Sequence, residues 1–185
     1  VAVVDLNISE AIIGDAATTL EAAISTSSTL DFVTIGKGLR LPLNDEYMYD
    51  SNLLDATQKG TIDFMDCGYI QILSWWLKTE LGACAMKLRD ANGSTPLHLV
   101  CASRAADDVL LEMLKTHPHL SQEADNDGDY PLQLVSKARK PVKVIAELLR
   151  LTLEYPAALQ QTCKRSCLTL SLNAGADYNV LEEIK

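Results

Sequence analysis

The sequence predicts a mostly α-helical chain: helix pairs joined by short turns across residues 62–185, preceded by a mixed N-terminal segment over residues 1–61. Three observations carry this. A pattern of turn residues, proline and leucines recurs 35 residues after its first appearance. Each copy is followed by an apolar run of helical period. The front of the chain differs from the rest in charge: residues 1–66 hold 11 acidic and 3 basic side chains, a net of −8, while the whole chain carries −9.

The two copies are Asp90 to Val100, reading Asp-Ala-Asn-Gly-Ser-Thr-Pro-Leu-His-Leu-Val, and Asp125 to Val135, reading Asp-Asn-Asp-Gly-Asp-Tyr-Pro-Leu-Gln-Leu-Val. Asp-x-x-Gly suits a tight turn, since glycine takes backbone angles that side chains resist. Thr95 can cap the helix that follows, and Pro96 fits its first position, where no amide donor is needed. Val109, Leu110, Met113 and Leu114 then form one apolar stripe, and Val144, Ile145, Leu148, Leu149 and Leu151 another. Both runs stop at a ring followed by proline, His117-Pro118 and Tyr155-Pro156.

Thr95-Pro96-Leu97-His98, preceded by Asp-x-x-Gly, resembles the ankyrin repeat signature, and the second copy makes the resemblance specific. It implies an ankyrin-repeat helical solenoid with short hairpin turns, in which neighbouring units bury each other's faces. It also implies that His98 makes structural hydrogen bonds across the turn and that Leu97, Leu99 and Val100 face adjacent repeats. The second copy departs from the pattern with Tyr130-Pro131-Leu132-Gln133, so the same cap and turn bonds are not implied there. Leu151 to Ala158 resembles a repeat variant of algal and stramenopile proteins.

Degenerate units are expected at both ends. Cys167 to Leu172 can supply an inner helix and Tyr178 to Ile184 an outer one, although Gly175-Ala176-Asp177-Tyr178-Asn179 resembles a repeat ending in a different register. Upstream, Cys67 to Leu81 reads as a helix with Ile70, Leu73, Leu77 and Leu81 on one stripe and Trp76 at its margin. Ser9 to Ile24 resembles an ankyrin helix-loop-helix, Ser25–Ser28 is a polar break, and Phe32 to Leu43 alternates like a small hairpin. Residues 44–61 read as an acidic loop.

An apolar fraction of 48% fits a globular protein. No apolar run reaches the roughly 18 residues that a transmembrane helix needs. Five scattered cysteines (Cys67, Cys84, Cys101, Cys163 and Cys167) in a chain of 185 residues point to reduced thiols in an intracellular compartment, cytoplasm or organelle stroma. The chain opens on Val1, as expected of a processed or truncated form. An acidic surface disfavours nucleic acid and anionic membranes. It serves solubility, or docks a basic partner.

Candidate chemistry fails on spacing. Asp125 to Asp129 places glycine fourth and Ser136 twelfth, where a calcium loop requires glycine sixth and glutamate twelfth. Ile35-Gly36-Lys37-Gly38 lacks the glycine spacing and hydroxyl of a phosphate loop. His98 with Cys101, or Cys163 with Cys167, gives two ligands where zinc takes four. His117 and His119 read as a solvated surface pair. Nothing pairs a nucleophile with a base, so neither catalysis nor a cofactor or metal is expected.

What remains is binding. In the ankyrin family partners usually contact the hairpin tips and the inner-helix face; here the tips are Arg89–Ser94, Glu123–Asp129 and Thr162–Ser166. Asp90, Gly93, Asp125 and Gly128 are needed by the turns. Arg89, Asn92, Ser94, Asn126, Asp129, Tyr130, Lys164 and Arg165 are the candidates for reading a partner. Trp75 joins them because it points away from the core stripe, with Ile72 beside it; either the hairpin of residues 32–43 covers it or it meets a partner. Lys137, Arg139, Lys140, Lys143 and Arg150 form a basic group interrupted by Glu147, either solvated or facing an acidic surface. The expected function is a non-catalytic protein–protein interaction module, an adaptor or accessory subunit whose partner is another protein or a multi-subunit complex. The alternative is a regulatory or targeting ankyrin domain of a longer enzyme or channel; a small enzyme with its site in residues 26–61 stands third.

Overall fold

The computed structural model describes residues 4–8, 19, 22–24, 26, 27, 29–48, 50–60, 62, 67–105 and 107–154. Among them the chain is mostly helical, with a small three-stranded sheet near the N-terminus. Strand β1 (Asp5–Ile8) runs parallel to β2 (Phe32–Ile35), which pairs antiparallel with β3 (Leu39–Pro42). The hairpin follows from the alternation; β1 does not, because its partner lies 27 residues away in sequence. Val33, Ile35, Leu39 and Leu41 are all fully buried, and the register pairs Val33 with Leu41 and Ile35 with Leu39. Phe32 is covered by Tyr47, at 4.8 Å between ring centroids, and by the Arg40 guanidinium, 3.5 Å above its ring.

Residues 44–61 are not the continuous loop that their polarity suggests. They contain a 3-10 turn at Asp45–Tyr47 and helix α1 (Leu53–Gln58), whose Leu53, Ala56 and Thr57 are buried. A helix of this length is too short to show a periodic stripe or to persist alone. It is held by packing against β3 and against α4 (Pro96–Ala102). The predicted helix over 67–81 likewise divides. Helix α2 (Cys67–Leu77) ends, and α3 (Glu80–Met86) begins from Thr79, whose hydroxyl accepts from the Gly82 amide at 3.2 Å. The junction is too tight for a side chain, since a Cβ on Gly82 would lie 2.6 Å from Leu77 Cα.

The buried face of α2 is also wider than the predicted stripe. Tyr69, Ile72, Leu73, Trp76 and Leu77 are buried, while Ile70 is only half-buried. The reason is a second neighbour: α2 packs on one side against α5 (Asp107–Thr116), and on the other its Trp76 Nε1 donates to Pro42 O at 2.7 Å. Trp76 therefore sits in the core, not at its margin.

Downstream, α4 and α5 form one helix pair, and α6 (Pro131–Lys137) and α7 (Val142–Glu154) a second. Helix α4 lies against α6 and α5 against α7, so the pairs stack. A 3-10 segment at Pro118–Gln122 links them. One continuous core runs from Ile24 and the sheet through to Leu151. The expected terminal unit, residues 155–185, lies outside the described residues, as does most of Ser9 to Ile24. No helix among the described residues is long and apolar enough to cross a membrane.

Candidate functional site

The two Asp-x-x-Gly stretches fold into the same turn. Asp90 Oδ1 accepts from the amides of Asn92 and Ser94, both at 2.9 Å; Asp125 Oδ1 accepts from Asp127 at 3.0 Å and Asp129 at 2.9 Å. The Gly93 amide donates to Asp90 O at 3.0 Å and that of Gly128 to Asp125 O at 3.1 Å. Both glycines have left-handed backbones, with φ of 75° and 80°. Each turn leads into a helix with proline at its first position, and the third helical side chain reaches back to the cap amide: Thr95 N–H to His98 Nδ1 at 3.3 Å, Tyr130 N–H to Gln133 Oε1 at 2.6 Å. Gln133 thus caps its helix as the histidine does.

The turns are also bonded to each other. Asn126 donates through its backbone amide to Asn92 O at 3.0 Å and through Nδ2 to Ala91 O at 3.4 Å. Arg89 spans the gap: Nη1 donates to Gly93 O at 2.6 Å and Ala124 O at 3.1 Å, and Nη2 pairs with Glu123. His98 completes the link, with Nε2 3.1 Å from Glu123 O and Nδ1 2.8 Å from Thr95 Oγ1. Because Nδ1 accepts from the Thr95 amide, Nε2 carries the proton and donates; this tautomer is assigned from the network. Burial holds the imidazole below its usual range, which keeps the neutral form that acceptance at Nδ1 needs.

Of the candidate readers, Asn92 and Asn126 are exposed on this edge and Tyr130 is half-buried at the start of α6. Ser94 is not available to a partner: it is 8% exposed, because the turn closes over it. Arg89 is exposed but committed to the neighbouring turn, and Asp129 is paired with Lys137. Lys164 and Arg165 lie outside the described residues. Asp127, not singled out from the sequence, is exposed beside Asn126. Its signal was present in the turn pattern, where position three is used by its amide and leaves the side chain free.

The basic group on α6 and α7 is not an unpaired patch. Lys140 is buried, its Nζ donating to Ala105 O at 2.7 Å and lying 3.8 Å from Asp107. Lys143 meets Asp108, Arg150 meets Glu147, and Lys137 meets Asp129. Arg139 is exposed. His117, expected in solvent, is buried at 5% exposure against Thr116 Oγ1, while His119 is exposed.

Trp75 is half-buried on α2. It lines two open grooves, one shared with Pro42, Leu43 and Leu81, the other with Ile70, Ser74 and Glu112. The Cys101 thiol is fully buried beside His98, and burial raises its pKa far above the usual thiol range. No group of three or more metal-ligating side chains occurs among the described residues. No protein-family model, curated protein or solved structure matches the chain.

Proposed function

We propose that this chain is a non-catalytic, ankyrin-type protein-binding module that acts as an adaptor or accessory subunit within a larger assembly in a reducing compartment. The observation that carries the reading is the pair of turns locked side by side. Thirteen hydrogen bonds and ion pairs bind Arg89–Ser94 and Glu123–Asp129 internally or to each other without using the side chains of Asn92 or Asp127. An edge that is rigid before binding loses little conformational entropy when a partner docks. Exposed side chains with no structural task are the ones free to specify that partner. The free thiols of Cys84 and Cys101 support the compartment.

The test is affinity capture with cross-linking from the source cells, using the wild-type chain and the Asn92→Arg/Asp127→Arg variant. The variant should keep the wild-type circular dichroism and thermal midpoint but lose the captured protein. A variant that retains the same capture shows that the turn edge is not the contact surface.

A further inference from the structure

The groove between the N-terminal hairpin and the α2–α3 junction has an apolar floor of Pro42, Leu43, Trp75, Trp76 and Leu81, and a volume of about 340 Å³. Asp45 and Glu80 also line it. Both acids are exposed, and neither forms an ion pair among the described residues. Trp75 separates this groove from one of opposite character, where Lys78 and Lys115 stand beside Glu112. Glu112 is already engaged, accepting from Ser74 Oγ at 2.7 Å and Lys115 Nζ at 3.2 Å.

We propose that the groove beside Trp75 binds a basic, apolar peptide segment of a partner protein, seating an apolar side chain against the indole and a neighbouring lysine or arginine against Asp45 and Glu80. Charge complementarity selects this occupant. Asp45 and Glu80, exposed and without an ion-pair partner among the described residues, give the groove a negative edge that draws cations and repels acidic segments. The basic rim across Trp75 repels the same cations, which orients the segment toward Asp45 and Glu80. A half-buried tryptophan over an apolar floor is the residue type that most often dominates an interface. No residue of this groove belongs to the turn edge, so the two surfaces stand or fall separately.

The experiment uses the full chain and three synthetic peptides of equal length: lysine with leucine, glutamate with leucine, and lysine without apolar residues. Tryptophan fluorescence under acrylamide quenching is the readout, in wild type and in Trp75→Phe. The lysine–leucine peptide should shield the quencher-accessible emission of wild type, with no such change in Trp75→Phe, and the other two peptides should not. Asp45→Lys/Glu80→Lys should weaken that binding by about tenfold or more at low salt, whereas Lys78→Glu should not weaken it. The proposal is overturned if both tryptophans are already shielded in the isolated chain, if the glutamate peptide protects equally, or if charge reversal leaves the affinity unchanged.

Discussion

The turns at Asp90–Ser94 and Asp125–Asp129 make the same internal hydrogen bonds to within about 0.1 Å, yet they stand in different surroundings. The first is roofed by the second: Gly93 and Ser94 are buried, and a Cβ on Gly93 would lie 2.7 Å from Asn126 Cγ and 3.0 Å from its backbone nitrogen. Gly128 is exposed, and among the described residues nothing lies within 4 Å of where its Cβ would go. Local chemistry makes the turn; the neighbouring turn decides what each of its atoms is worth.

The largest expected consequence is at the glycines. Gly93→Ala combines a left-handed backbone with a steric clash and should destabilise the chain by about 3 kcal/mol. Gly128→Ala carries the backbone strain alone and should lose about 1 kcal/mol. Urea denaturation of both variants measures the gap, and equal losses would break the comparison.

Next come the third helical positions. His98→Ala removes bonds to two turns in a fully buried site and should destabilise by about 2–3 kcal/mol; Gln133→Ala, which removes the cap bond to the Tyr130 amide, should lose about 1 kcal/mol. The histidine also predicts a pH dependence. Its folded pKa lies below the ordinary imidazole value of about 6.5, so as the solution is acidified the unfolded chain takes up the proton first. The stability contributed by neutral His98 is therefore complete above about pH 6.5 and is lost as pH falls toward the folded pKa. His117, lowered by burial and by His119, acts in the same direction. His98→Gln should flatten the stability-versus-pH curve below pH 6.5 only in part; an unchanged curve would exclude a neutral His98.

Two lysines reach 35 residues back in the sequence, from α7 and the loop before it to α5 and its approach, and they sharpen the contrast between buried and exposed ties. Lys140→Met strands the Ala105 carbonyl and should destabilise by about 1–2 kcal/mol. Lys143→Ala removes a pair whose side chains are 55% and 65% exposed, and thermal or urea unfolding should move by no more than about 0.5 kcal/mol.

Much of this was legible along the chain. The 35-residue recurrence located both turns, both proline-started helices and the apolar stripes of α5 and α7, because each of these depends on residues within a few positions of one another. The candidate site was legible in place but not in detail. Ser94 and Arg89 looked as free as Asn92, since nothing local distinguishes a turn residue that a neighbouring turn will cover or bridge from one left in solvent.

By itself, then, the sequence determined the turns, the caps, the helical periods and the acidic front, all of which rest on short-range backbone preference and composition. Only the tertiary structure decided that Leu53–Gln58 is a helix, that α2 buries Tyr69, Ile72 and Trp76 beneath the hairpin, and that Lys140 leaves solvent for Ala105. Each of those outcomes depends on a surface supplied from elsewhere in the chain, from the paired strand, the stacked helix or the adjoining loop, and on the desolvation and packing that such a surface imposes.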